Sequence, residues 1–241
     1  MSKKDLKVYP LKTDDKFSIA RYNNLHQTLP RPNFRICLNC YSGFGKDVIV
    51  SNLLLRKDML DLANSKKPFI DFFCLISPTA FNDPSQESLV EVADLVYTDF
   101  DPKIINNLIE ISKEFEEENE DEEPFQILVY LNDLLNDKAL ARSIDKLIVK
   151  ARHHNINLIL SFQSLRNRTN SPIVRSNITH LICSKATNMK QYKMLEEEYN
   201  GLYQGKFKDM YEKSTQGRYD FLFLDLKNQR AFKNFEEQIF P

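Results

Sequence analysis

The chemistry of this sequence gathers around Lys46. A short apolar run (Ile36, Cys37, Leu38) leads into a turn carrying Gly43 and Gly45. The lysine follows, and then an apolar segment of helical spacing, with Val48, Ile49, Leu53 and Leu54. Strand, glycine turn, lysine and helix is the layout of a phosphate-binding loop. Its backbone N–H groups and the helix N-terminus face an anion, and the lysine adds a point charge. Ser42, Gly43, Phe44, Gly45, Lys46 and Asp47 are therefore the candidate phosphate-contacting residues. The full pattern G-x-x-x-x-G-K-[ST] is not met, because Cys40 stands at its first glycine and Asp47 at its closing hydroxyl.

A loop of this kind works with a carboxylate at the tip of a second buried strand. The apolar run at 127–131 ends in Asn132-Asp133. In the usual arrangement the first position supports Mg²⁺ and the second polarises the attacking water. Here those positions read as Asn132 and Asp133. A reading offset by one, with Asp133 as the metal residue, stays open beside it. A further buried run, INLILSF, ends in Gln163, a polar group suited to sensing a terminal phosphate or orienting water. Arg152, just before that run, and Arg175 are candidate arginine fingers acting on a neighbouring subunit, and each is also compatible with a surface or structural ion pair. His153 and His154 lack metal-ligand spacing and read as solvated, whereas His180 reads as a core histidine.

Elements that would position these groups follow from the hydropathy pattern. Continuous apolar runs at 34–39, 69–77, 126–132, 156–163 and 178–184 predict parallel strands buried on both faces, with a sixth run at 219–226. Helical spacing at 46–63, 102–117, 137–152 and 188–199 falls between them. This alternation predicts an α/β fold with a mostly parallel central sheet flanked by helices on both faces. Residues 1–32 read as a polar arm with Pro10, Pro30 and Pro32, and 33–241 as one domain without repeats or linkers.

Composition narrows the function classes. A formal charge of −1 with 28% charged residues gives no global attraction to nucleic acid, so any DNA contact must be local. No apolar run reaches the ~18 residues of a membrane span, and the N-terminus MSKKDLKVYP does not read as a signal peptide. The four cysteines sit in apolar runs. Cys37 and Cys40 have C-x-x-C spacing but no second pair, which predicts buried free thiols. The acidic run at 114–123 reads as a solvated helix end.

Taken in order, GFGKD, SPTAFND, LNDLLND, RHHNINLILSFQ, IVRSNITHLI and the late RYDFLFLDLKNQRAFKNFEE resemble the viral genome-packaging ATPases of the FtsK–HerA superfamily. The resemblance spans about Pro30 to Phe235 and implies a RecA-like P-loop NTPase fold of the ASCE type. It implies ATP and Mg²⁺ as cofactors, with Lys46 on the β- and γ-phosphates and Gly43 and Gly45 shaping the loop. It also makes Asp133 the water-activating acid, Gln163 the sensor and Arg152 the preferred finger over Arg175. Asp47, Asn132 and Asp133 become the candidate metal residues. The implied partners are double-stranded DNA, further copies of the chain in a homo-oligomeric ring, and capsid or portal-vertex proteins. The implied location is the host-cell cytoplasm or the virion. Lys3, Lys4, Arg166 and Arg168 are weak candidates for DNA contact.

The departures from the motif fall on the two metal positions. Asp47 replaces a hydroxyl and Asn132 replaces a carboxylate, so the pair still carries one carboxylate. One reading is that the carboxylate has changed sides of the ion. The other is loss of catalysis, since a carboxylate about 5 Å from a phosphate charge costs roughly 3 kcal/mol at an effective dielectric near 20. A third reading, a P-loop phosphotransferase with a lid near Arg166 and Arg168, is disfavoured by Gln163 and the RSN block.

Overall fold

The computed structural model describes residues 25–63, 69–118, 123–133, 138–162 and 169–240. The N-terminal lysines, Gln163, Arg166, Arg168 and the middle of the acidic run lie outside these residues. The expected strands form as β1 (Arg35–Asn39), β2 (Phe72–Ile76), β4 (Ile127–Leu131), β5 (Ile156–Phe162), β6 (His180–Cys183) and β7 (Leu222–Asp225). Three short strands join them, β3 (Leu95–Tyr97), β8 (Arg230–Lys233) and β9 (Glu237–Phe240). The sheet runs β3-β2-β4-β5-β1-β6-β7-β8-β9. From β3 to β6 every pairing is parallel, and from β6 to β9 every pairing is antiparallel.

The long helices arise where expected, as α1 (Lys46–Leu55), α3 (Pro102–Glu118), α4 (Lys138–Lys150) and α6 (Met189–Tyr199). Shorter ones are α2 (Glu87–Val92), α5 (Pro172–Asn177) and α7 (Phe207–Ser214). Ser171 caps α5 by accepting from the Val174 N–H, with Pro172 in the first turn, and Asn188 caps α6 through Gln191. Helix α1 stops earlier than its spacing predicts. At Arg56 the chain turns extended, and the Leu60 N–H returns to the Leu53 carbonyl so that Leu60 is buried.

Strand alternation divides the core into two apolar layers. Ile36 and Leu38 of β1 face α1 with Val50, Leu53 and Leu54, while Cys37 faces the layer that holds α4, α6 and α7. On β4, Leu128 and Tyr130 point to the α1 side, and Val129 and Leu131 to the other. Truncating a fully buried leucine such as Leu54 to alanine should cost ~2–5 kcal/mol. Leu25 and Leu29, placed by the sequence reading in a polar arm, are buried in the α1-side layer. All four cysteines are buried and free, as predicted. Burial pushes the Cys40 and Cys74 thiols up to about 12.

This topology decides what can meet. The C-terminal ends of β1, β4, β5 and β6 lie on one edge of the sheet, Leu131 level with Leu160, and Asn39 level with both Phe162 and Cys183. Strand β5 stands between β1 and β4, so its last residue, Phe162, lies between the end of β1 and the end of β4. Antiparallel β7 starts where β6 ends, Leu222 beside Cys183, which brings the preceding turn to the same edge.

Candidate functional site

The glycine turn leaves β1 with its first amide tied to the sheet, the Cys40 N–H donating to the Phe162 carbonyl at 3.2 Å. Gly43 and Gly45 hold φ of 78° and 92°, the left-handed region in which a side chain is strained, so glycine is required at both. Gly45 is the residue before α1, and that backbone turn sets the start of the helix at Lys46. Ser42 and Gly43 are exposed at the tip of the turn. Phe44 does the reverse, burying its ring beside Tyr41 at 5.3 Å between centroids. Cys40, at the position of the missing first glycine, is buried in the core.

Helix α1 and the end of β4 meet through two polar pairs. The Lys46 ammonium is buried and lies 3.2 Å from both carboxylate oxygens of Asp133. Asp133 has a φ of 46°, so the chain turns left-handed directly after the strand and presents the carboxylate toward the helix. The second pair joins the two residues that depart from the motif. The Asn132 amide donates to Asp47 Oδ1 at 2.9 Å, and the Tyr130 hydroxyl donates to the same oxygen at 2.9 Å. All three side chains are buried. A hydroxyl paired with a carboxylate has thus become a carboxylate paired with an amide, with the hydrogen bond reversed in direction and one negative charge retained.

Burial pushes the Asp47 carboxyl above the ordinary range, the Tyr130 hydrogen bond and the Lys46 charge pull it down, and Asp83 and Asp133 push it up again. The net direction is upward. Burial and the Asp47 charge likewise raise the Tyr130 phenol far above 10, so it stays a neutral donor. One buried ammonium therefore faces Asp47 and Asp133, with Asp83 nearby. Asn132 Oδ1 is buried with no hydrogen-bond partner. Carboxylate, amide and phosphate oxygens are the donors that Mg²⁺ takes, with few ligands from the protein itself. The donor set fits that ion. Among the described residues no cluster of three His, Cys, Asp or Glu forms a self-sufficient metal cage.

The arginines separate from this cluster. Arg152 lies in the 3-10 turn Ala151–His153 before β5, at the opposite edge of the sheet from the glycine turn. It is exposed, and its charge is felt by Arg35 at the start of β1. Arg175 in α5 is engaged within the chain, 3.3 Å from Glu198 and donating to the Asn170 carbonyl at 2.7 Å. His153 is exposed beside Arg152. His180 is a core residue as expected, stacked on Phe223 at 5.4 Å.

Tyr130 is the contact that the motif reading omitted. Its signal was present, since residues two apart on a strand share a face, and Tyr130 stands two before Asn132. The turn before β7 is a second omission. Tyr41 of the glycine turn donates to the Arg218 carbonyl at 3.4 Å, and Phe44 and Tyr219 lie 6.4 Å apart between ring centroids.

Solved structures share this architecture. The genome packaging NTPase B204 from Sulfolobus turreted icosahedral virus 2, in complex with ATP-gammaS, superposes with a TM-score of 0.55 at 17% identity, over 84% of this chain and 97% of that one. The conjugation coupling protein TcpA of pCW3 gives 0.53 at 17% identity, over 79% of this chain and 57% of that one. A two-ATPase portion of EssC from Geobacillus thermodenitrificans gives 0.58 at 14%, over 87% of this chain and 40% of that one. At these identities the likeness is one of fold, that of the P-loop ATPases. No curated protein matches the chain in sequence. Residues 21–212 match the family described as Poxvirus A32 protein. This agrees with the resemblance carried by the motifs, and over that span the chain belongs to the Poxvirus A32 protein family.

Proposed function

We propose that this chain is the ATPase subunit of a viral genome-packaging motor, acting as a homo-oligomeric ring that moves double-stranded DNA into a preformed capsid. The observation that carries the reading is the convergence of α1 and the β4 tip, with Lys46 on Asp133 and Asp47 on Asn132. Membership of the Poxvirus A32 family and the fold shared with a packaging NTPase support it. In this reading Ser42 to Lys46 wrap the phosphates, and Lys46 leaves Asp133 to contact them. Asp133, released, orients and deprotonates the attacking water. Asp47, steadied by Tyr130 and Asn132, and the free oxygen of Asn132 would hold Mg²⁺, which supplies charge neutralisation of the phosphates. Gln163 senses the terminal phosphate. Arg152, exposed and away from its own site, is the better placed of the two arginines to reach a neighbour's, because Arg175 is occupied by Glu198. DNA and capsid or portal proteins are the partners, in host cytoplasm or virion. Among the described residues no helix is long and apolar enough to cross a membrane.

A second reading is favoured by one observation, the upward shift of a buried Asp47 beside like charges. It gives a subunit that binds nucleotide without turning it over. DNA-stimulated ATP hydrolysis separates the two, with Lys46→Ala as the control. Stimulation by linear duplex that vanishes in the control supports the motor, and binding without turnover supports the second reading. The carboxylate exchange has its own test in Mg²⁺-dependent ATP binding. Asp47→Ser should weaken it, and adding Asn132→Asp should restore it. Equal, negligible binding by the parent and the single variant would sink the exchange.

A further inference from the structure

We infer that the turn at residues 215–220 is the base-binding wall of the nucleotide site, with Tyr219 stacking the purine ring. The inference rests on the nucleotide reading above and goes beyond it by assigning the part of the ligand that the glycine turn does not touch. Phosphates seated at Gly43–Lys46 leave the base beside the loop, not in it. The wall must therefore come from another element at the same sheet edge.

The antiparallel pairing of β7 with β6 delivers one. Leu222 sits beside Cys183, and Cys183 beside Asn39, so the turn before β7 emerges next to the residues that follow β1. Tyr219 is 58% exposed, whereas its neighbours Phe44 and Phe221 are buried. Its ring lies 6.4 Å from Phe44, the residue between the two loop glycines. The Arg218 guanidinium lies over the Tyr219 ring at 5.1 Å, a cation beside a π-face, which suits an electron-rich heterocycle attached to an anionic chain.

The turn is built to hold that ring still. Asp220 accepts from the Gly217 N–H at 3.0 Å and pairs with Lys233 of β8 at 2.9 Å. Thr215 is tied to the Tyr211 carbonyl at 2.8 Å, and the Phe221 N–H donates to Asn234 at 3.1 Å. Tyr41 links the turn to the glycine loop through the Arg218 carbonyl. An exposed aromatic on a rigid turn loses little freedom when it stacks.

The test exploits the absence of tryptophan from the chain. In Tyr219→Trp, ATP should quench the single indole, and inorganic tripolyphosphate should not. Tyr219→Ala should bind ATP at least about tenfold more weakly, the scale of one lost base stack. Its tripolyphosphate affinity should be unchanged, and Tyr219→Phe should bind ATP within about threefold of the parent, since the stacking face is kept. Unchanged ATP affinity in Tyr219→Ala, with no response from the tryptophan variant, would overturn the base site and leave the phosphate-loop reading standing. An equal loss for ATP and tripolyphosphate would overturn it as well, showing a disturbed loop. A parent that binds neither ligand removes the nucleotide reading and this inference with it.

Discussion

Two buried aspartates, one packed against each half of the sheet, show how differently the same residue is treated in the parallel and antiparallel regions. Asp225 at the end of β7 is surrounded by donors. Asn228 gives its backbone N–H at 3.0 Å and its amide at 2.8 Å, and Arg230 adds a guanidinium bond at 2.8 Å. Burial alone would raise the Asp225 carboxyl, yet the Asn228 and Arg230 hydrogen bonds outweigh it and hold it below the ordinary range. Asp47 in α1 receives two neutral donors on one oxygen, shares a single ammonium with Asp133, and is shifted the other way. The antiparallel site is closed and compensated, as a structural ion pair must be. The parallel site carries a surplus of negative charge, with Asp47, Asp83 and Asp133 set against the Lys46 ammonium. The opposite directions of the two shifts separate a carboxylate whose burial is fully compensated from one whose burial is not.

Removing the carboxylate charge should therefore act oppositely in the two halves. Asp225→Asn leaves Arg230 without its buried partner and turns an amide N–H toward existing donors. Unfolding stability should fall by about 3 kcal/mol, toward the low end for a broken buried pair because Arg230 is partly exposed. Urea denaturation measures it. A loss below about 0.5 kcal/mol would show that the compensation is not what holds this half.

The second effect is a pH dependence that arises in the antiparallel half, at His180. Burial lowers His180 to about 4 despite the neighbouring Asp225. The unfolded chain takes up a proton near pH 6.5 and the folded chain does not until about pH 4. Stability from the neutral histidine is thus fully present above the unfolded value and is lost as pH falls from 6.5 toward 4. The shift corresponds to about 3 kcal/mol. The urea midpoint of the parent should drop across that window more steeply than that of His180→Gln. Parallel curves would remove His180 as the cause.

Reading the fold from sequence succeeded where burial was two-sided. Strands β1, β4 and β5 lie in largely apolar runs of strand length, too short for a helix, and such runs read as covered strands. It failed on β8 and β9, because RAFK and EQIF carry as many polar as apolar residues and edge pairing needs no more. Helices α2, α5 and α7 are too short to show a period. Of the site, Lys46, Asp47, Asn132 and Asp133 were legible from motif spacing, whereas Gln163 lies outside the described residues. Arg175 was legible as a cation but not as the partner of Glu198, since that pairing joins α5 to α6. The contacts of Arg218 and Tyr219 with the glycine turn could not be read from sequence, because only the antiparallel return of β7 brings them there.

A smaller effect has the opposite sign. Asp47→Asn keeps an acceptor for Tyr130 and Asn132 and removes a charge that the fold disfavours. Without nucleotide or Mg²⁺, stability should rise by about 1 kcal/mol, while Mg²⁺-dependent ATP binding falls. A thermal melt with and without MgATP reads both at once. A drop in stability like that of Asp225→Asn would erase the distinction between the two halves.

The finest comparison uses two tyrosines. Tyr203 in the antiparallel half places its hydroxyl 3.2 Å and 3.3 Å from the carbonyls of Asp225 and Arg230, and Tyr130 gives its proton to Asp47. Each is fully buried, and a change to phenylalanine deletes only one oxygen. Both changes should cost about 1 kcal/mol or less in stability, the net worth of one buried hydrogen bond. Their effects on ligand should diverge. Tyr203→Phe leaves MgATP affinity as it was, because its partners are backbone carbonyls remote from the phosphates. Tyr130→Phe removes one of the two donors on Asp47 Oδ1, so the Mg²⁺ needed for half-maximal ATP binding should shift severalfold. Calorimetric titration of ATP at stepped Mg²⁺ measures that shift, and its absence would make Tyr130 a second Tyr203, a hydroxyl that merely satisfies its neighbour.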